Sequence, residues 1–239
     1  MEKLLCPSMM CADFSSLKDE IENLEKSGID IFHLDVMDGS FVPNFGMGLQ
    51  DIEYICKTAT KPCDVHLMIE NPSKYIDKFA KLGVNIIYIH PETDPHACRT
   101  LQMIRDAGVK SGIAVNPGTS FETVKDLLYL CDYVMLMSVN PGFAGQKYLD
   151  FVTEKFGKFV NLSIYFEGFS IIKWTSQGLV AVLQIYSISC NPIPKFGTKL
   201  PSITSKWNIS IPPFSRFSIS SFSDGWKLCP KFWDGITGY

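Results

Sequence analysis

No apolar run in this chain approaches the roughly 18 to 20 residues that a membrane-spanning helix requires. The N-terminal MEKLLCPSMM also lacks the basic-then-apolar layout of a signal peptide. These two absences predict a cytoplasmic protein with no membrane partner. A basic excess is missing too: 22 Lys and Arg stand against 25 Asp and Glu, for a net charge of -3. No positive stripe marks a nucleic-acid ligand, so a small molecule is the expected partner. The eight cysteines form no C-x-x-C, which predicts reduced, mostly buried thiols. What is present is apolar material, 46% of 239 residues, enough to bury a full core.

That material comes in two alternating kinds of segment. Short β-branched or apolar runs at residues 4–10, 29–38, 62–69, 85–92, 109–117 and 132–142 read as six strands. Between them, SSLKDEIENLEKS puts Leu17, Ile21 and Leu24 on one helical face behind Ser15 or Ser16 as a cap. NPSKYIDKFAKLG reads as a helix from Asn71, with Pro72 in its first turn and a stop at Gly83, and TSFETVKDLLYL behaves in the same way. Repeated βα units of this size predict an α/β fold, a (β/α)8 TIM barrel, with a doubly wound sheet as the alternative.

The repeat breaks near residue 163. Residues 163–239 hold seven Lys and Arg against three acids, a balance of +4, together with six prolines and no clear helix; residues 1–162 carry -7. The expectation is a barrel portion over 1–162 whose last two βα units are replaced by a non-matching tail over 163–239. So abrupt a switch suggests a frameshift or rearrangement, and a six-unit barrel would leave strand edges exposed, favouring a homo-oligomer.

Charge sits where a buried strand is expected. In IFHLDVMDGSFVPN, residues two apart share a face, so His33, Asp35 and Met37 point one way while Leu34 and Val36 point the other. The next strand repeats this with Asp64, His66 and Met68. At the carboxyl ends of parallel barrel strands, His33, Asp35 and His66 could converge on one ion. Two imidazoles and a carboxylate suit Zn, Fe, Mn or Co, whereas Ca and Mg prefer all-oxygen shells. The plainer alternative, separately hydrogen-bonded core residues, is harder to sustain for several buried charges on successive strands.

SMMCADF, HLDVMDGSFVPNF, DVHLMIENP and LMSVNPGFAGQ, in this order and spacing, resemble the ribulose-phosphate 3-epimerase family, including its D-allulose-6-phosphate branch, over residues 3 to 162. The resemblance implies a TIM barrel with a divalent metal ion held by His33, Asp35, His66 and one further aspartate. It implies Asp35 as a catalytic acid/base and Ser8 and His66 as substrate contacts. The turn Gly142, Phe143, Ala144 and Gly145 would lie against a sugar phosphate, and Met37, Met68 and Met137 would line the site. The implied reaction is epimerisation of a ketose phosphate at C3 through an enediolate, with proton delivery from two carboxylates, one on each face. The second carboxylate belongs to a VDG motif that this chain does not show. The corresponding stretch reads FSIIKWTSQG, with Lys173 or Trp174 near the expected position, and the Asp-Gly pairs at 224–225 and 234–235 come too late.

Three functions follow. The first is a metal-dependent epimerase of D-ribulose 5-phosphate or D-allulose 6-phosphate, with IHPET at 89–93 leaning toward the hexulose. The second is a catalytically impaired metal- and sugar-phosphate-binding remnant. The third, a related decarboxylase or aldolase, is disfavoured because DVHLM lacks the D-x-K-x-x-D lysine. His90 is expected either to shape the site or to fill the barrel, and His96 to lie on the surface.

Overall fold

A computed structural model describes residues 3–163, 169–173 and 181–185. Its contacts divide the chain into Met1–Asn191 and Pro192–Tyr239, and the second unit lies wholly outside the described residues. So do Trp174 and the Asp-Gly pairs of the tail.

The strands are β1 (Lys3–Leu5), β2 (Phe32–Met37), β3 (Cys63–Met68), β4 (Ile86–Ile89), β5 (Lys110–Val115), β6 (Tyr133–Leu136), β7 (Phe169–Lys173) and β8 (Ala181–Ile185). The helices are α1 (Leu17–Lys26), α2 (Leu49–Thr58), α3 (Ile76–Lys81), α4 (Ala97–Asp106), α5 (Phe121–Val124) and α6 (Val152–Ser163). Strands β2 to β6 pair in sequence order, all parallel. The amide of His33 donates to the carbonyl of Pro7 at 3.0 Å, and a parallel bridge joins Ser8 to His33, so β1 meets β2 and the sheet closes. The barrel expected from the βα repeat is therefore present.

Its closure is not the expected one. β7 pairs parallel to β1, but β8 lies antiparallel to both β7 and β6. The tail thus supplies two strands to the ring as an antiparallel pair, and the expectation of exposed sheet edges is corrected: β1 and β6 are both paired. Antiparallel strands can be joined by a short connection, whereas a parallel pair needs a long crossover.

Strand alternation explains the core. Leu34, Val65, Leu67, Ile87, Ile89, Ile113, Val115, Val134 and Leu136 face the helices and pack with Ile21, Ile52, Ile55, Phe79, Leu101 and Ile104. Each such side chain, removed from water, contributes about 1.5–3 kcal/mol. The opposite strand faces fill the barrel with Cys6, Ile86, Tyr88, Ala114, Tyr133 and Met135. A Cβ on Gly112 would run into the Tyr88 ring, so the glycine makes room for that fully buried side chain.

Several local expectations shift. Ser16 is the N-cap residue of α1, but its side chain makes no cap bond. The third helical segment opens as a single turn from Phe121, capped by Ser120, and continues as a 3-10 helix over Lys125–Leu130. Asn71 and Pro72 begin a 3-10 turn and not α3, which ends where Gly83 takes φ 87, a conformation glycine adopts without steric cost. His96 is exposed ahead of α4, as expected. Of the described cysteines, Cys6, Cys63 and Cys131 are buried, Cys11 and Cys56 partly so, and Cys98 is exposed; all are free thiols. No described helix is long and apolar enough to cross a membrane.

Candidate metal centre

The β2–β3 register builds the centre. His33 is the Cα partner of Asp64, and Asp35 is the partner of His66, so H-x-D on one strand meets D-x-H on the next with each imidazole beside a carboxylate. All four are buried. His33 Nε2 and His66 Nδ1 each lie 3.1 Å from Asp35 Oδ1. One ligand atom from each of His33, Asp35 and His66 falls within 4.8 Å of the others. The convergence expected from the sequence is thus present.

The electrostatics of the cluster favour a cation. Burial opposes charge on His33, but the carboxylates of Asp35 and Asp64 outweigh it and push the imidazole up to about 9. Burial likewise works against ionised Asp35, yet His33 and then His66 hold its carboxyl well below the usual range. Burial dominates at His66, which falls to about 4 and is neutral near pH 7. Two ring nitrogens and a carboxylate oxygen therefore converge on one point, where the smallest cation that can sit is a proton.

Supporting contacts leave the right atoms for a larger one. Asp64 Oδ1 accepts from His33 Nδ1, leaving Nε2 toward Asp35. A carboxylate behind a ligating imidazole is the arrangement that fixes ring orientation and tautomer at metal sites. His33 Nε2, Asp35 Oδ1 and His66 Nδ1 thus fit a borderline divalent ion such as Zn, Fe, Mn or Co. Among the described residues, no further carboxylate joins this cluster.

Ser8 was expected to touch substrate, and its hydroxyl donates to Asp35 Oδ2 at 2.5 Å. Behind His66, Nε2 lies 2.8 Å from His90 Nε2, and His90 Nδ1 lies 3.3 Å from Glu92 Oε2. His90 is fully buried and therefore belongs to the site's support. Asp64 was legible in D-x-H but carried no role there. Glu92 has no role legible in the sequence, since only the meeting of two loops gives it one.

Met37 and Met68 pack with Val42, and Met10 and Phe41 lie against them. Met137 is buried at the end of β6 but is not in that cluster. The glycine-rich turn follows β6 and touches the same wall. Asn44 Nδ2 donates to the Gly142 carbonyl at 2.7 Å, and a Cβ on Gly142, whose φ is 110, would sit 3.0 Å from Val42 Cβ. Gln146 Nε2 braces the turn from within, donating to the carbonyls of Asn140 at 2.7 Å and Phe143 at 2.9 Å. Phe143 is half exposed and Ala144 and Gly145 are exposed. The loops after β2 and β6 therefore meet over the methionines at the carboxyl end of the barrel, where TIM-barrel sites are built.

A profile of the ribulose-phosphate 3 epimerase family matches residues 4–173. The chain belongs to that family. It is accordingly an isomerase-type chain of the epimerase kind. The ribulose-phosphate 3-epimerase of Aquifex aeolicus (strain VF5) is 50% identical over 148 residues, which cover 62% of this chain and 67% of that one. That of Bacillus subtilis (strain 168) is 46% identical over 151 residues, 63% of this chain and 70% of its own length. The matched part thus spans about two thirds of these relatives. The family match reaches Lys173, the last residue of β7 and the register partner of Leu5, beyond the limit near residue 162 read from the motifs.

Proposed function

We propose that this chain is a metal-dependent ketose-phosphate 3-epimerase acting on D-ribulose 5-phosphate. The observation that carries this reading is the register-locked cluster in which His33 Nε2 and His66 Nδ1 both face Asp35 Oδ1 at 3.1 Å. His33, Asp35 and His66 would hold the ion. When bound, a divalent ion stabilises the negative charge that develops on the ketone oxygen and its neighbour as the C3 proton leaves. Asp35 would take or return the proton on one face of C3, with Ser8, bonded to its other oxygen, fixing the carboxylate's direction. The opposite face needs a second acid/base, and among the described residues no further carboxylate joins the cluster. The Met37, Met68 and Val42 wall keeps water from the reacting carbon without offering competing hydrogen bonds. The turn Gly142–Gly145 presents backbone amides to the phosphate.

The names of the relatives favour the pentulose. The hexulose D-allulose 6-phosphate stays as the competing substrate, on the strength of His90-Pro91 alone. A second reading, a metal- and sugar-phosphate-binding remnant without turnover, is favoured by one observation: β8 runs antiparallel, so the last two strands form a paired insert and not βα units. Turnover of both substrates by the purified full chain, supplied in turn with Zn²⁺, Mn²⁺, Co²⁺ or Fe²⁺, separates the readings. Epimerisation of either substrate supports the enzyme, and none from metal-loaded protein supports the remnant. The tail read from the motifs as starting at residue 163 is proposed to descend from a frameshift or rearrangement, with the family match moving the break to after Lys173. Unambiguous resequencing checks this, and an intact seventh and eighth βα unit in another frame is the expected result.

A further inference from the structure

Resting on the metal-site reading, we propose that Glu92 is a positioning residue for that site: acting through His90, it holds His66 in the tautomer that turns the Nδ1 lone pair toward Asp35. The two imidazoles stand Nε2 to Nε2 at 2.8 Å, so one must donate and the other accept. His90 Nδ1 faces Glu92 Oε2 at 3.3 Å. An ionised carboxylate only accepts, so His90 donates from Nδ1. With its Nδ1 proton committed to Glu92, His90 Nε2 would be the acceptor for His66 Nε2–H once an ion occupies His66 Nδ1. With an ion in the place of the proton that now joins them, His66 would be left with a bare Nδ1, the atom 3.1 Å from Asp35 Oδ1. A hydrogen-bond chain from Glu92 thus decides which His66 nitrogen is free to ligate.

The anchor is built for this task. Glu92 Oε1 accepts from the Asn116 amide at 3.2 Å and from the Thr119 hydroxyl, and only 21% of its side-chain surface is exposed. Those donors keep the carboxylate charged and fixed at the loop after β5. That loop is itself clasped by α6: Lys155 Nζ donates to the carbonyls of Asn116 at 2.9 Å and of Pro117 and Thr119 at 2.5 Å. On its other side, His90 packs against Phe41, with ring centroids 4.8 Å apart, which resists rotation of the imidazole. Without Glu92, His90 is free to donate from Nε2, and a proton on His66 Nδ1 then occupies the ligand position.

The test measures Zn²⁺ affinity by chelator competition for the full chain, Glu92→Met, Glu92→Gln and His66→Ala. Imidazole ¹⁵N spectra of the Zn²⁺-loaded proteins are recorded alongside. Supporting contacts of this kind are worth about 10–100-fold in metal affinity. The expected result is a loss of that size in Glu92→Met, recovered to within a few-fold in Glu92→Gln, which keeps an acceptor. Wild-type His90 is expected to carry its proton on Nδ1, a signature that a purely structural role for Glu92 would not set. Binding that His66→Ala weakens but Glu92→Met does not overturns the proposal alone. Binding indifferent to His66→Ala, or absent from the wild type, overturns the metal-site reading and the proposal with it. If Glu92→Met fails to fold, a wild-type His90 with a bare Nδ1 is sufficient to overturn it.

Discussion

His33 and Asp64 are register partners on neighbouring parallel strands, and the Asp64 carboxylate accepts from His33 Nδ1, which leaves Nε2 facing Asp35. One pairing step between β2 and β3 thereby sets both where the ligand sits and which of its nitrogens is available. A shift of one residue in that register would turn the whole set to the helix face.

Asp64→Leu keeps about the side chain's size but removes the acceptor for His33 Nδ1–H. The expected outcome is a 10–100-fold loss of Zn²⁺ affinity, about the size seen when such supporting partners are removed, with little change in secondary structure. Chelator competition and circular dichroism check it. Undiminished affinity would show that Asp64 does not set the His33 tautomer.

Gly46 lies against the strand that carries Asp35. A Cβ there would come within 2.5 Å of the Asp35 carbonyl oxygen and 2.9 Å of the Met37 amide, both backbone atoms with no room to yield. Gly46→Ala should therefore cost about 1–3 kcal/mol of stability, as overpacking does. It should also lower kcat more than it raises KM, because Asp35 moves with its strand. Denaturant unfolding and steady-state kinetics read the two effects.

Tyr88 is fully buried, and among the described residues its hydroxyl has no hydrogen-bond partner. An unpaired buried polar group costs about 1–3 kcal/mol, so Tyr88→Phe should leave stability unchanged or raise it. A fall of more than about 1 kcal/mol in urea unfolding, the usual net worth of one hydrogen bond, would show that the hydroxyl has a partner.

Burial opposes the charge of Glu92, but hydrogen bonds from His90 and Thr119 outweigh it and bring the carboxyl down to about 2 from its ordinary 4.5. A folded pKa below the unfolded one contributes stability that is complete above about pH 4.5 and lost as pH falls through about 2. The stability gap between wild type and Glu92→Gln should accordingly narrow from pH 6 to pH 3. A gap constant over that range would mean that the charge contributes nothing.

Much of this was legible in the sequence because it is local. Alternation within HLDVM and DVHLM gives the chemical face of each strand, and the βα spacing gives the barrel. The cross-strand register is not local, so Asp64 showed as one charge on a strand and not as the partner of His33. Ser8 as a substrate contact is what the resemblance implies, and nothing near it in sequence foretells the Asp35 carboxylate it also meets 27 residues away. Glu92 gains its role only where the loops after β4 and β5 touch. The pairing of β7 and β8 into the ring was missed because FSIIK and AVLQI sit in a stretch whose composition breaks the helical repeat, and strands need no intervening helix when they pair antiparallel.

The most direct measurement of the central claim is conversion of D-ribulose 5-phosphate to its C3 epimer by the purified, Zn²⁺-loaded full chain, beside Asp35→Asn. The account predicts turnover in the wild type and a fall of about 10²–10⁴-fold in the variant, the contribution of a positioned acid/base group. Equal turnover in the two proteins, or none from soluble metal-loaded wild type, would contradict it.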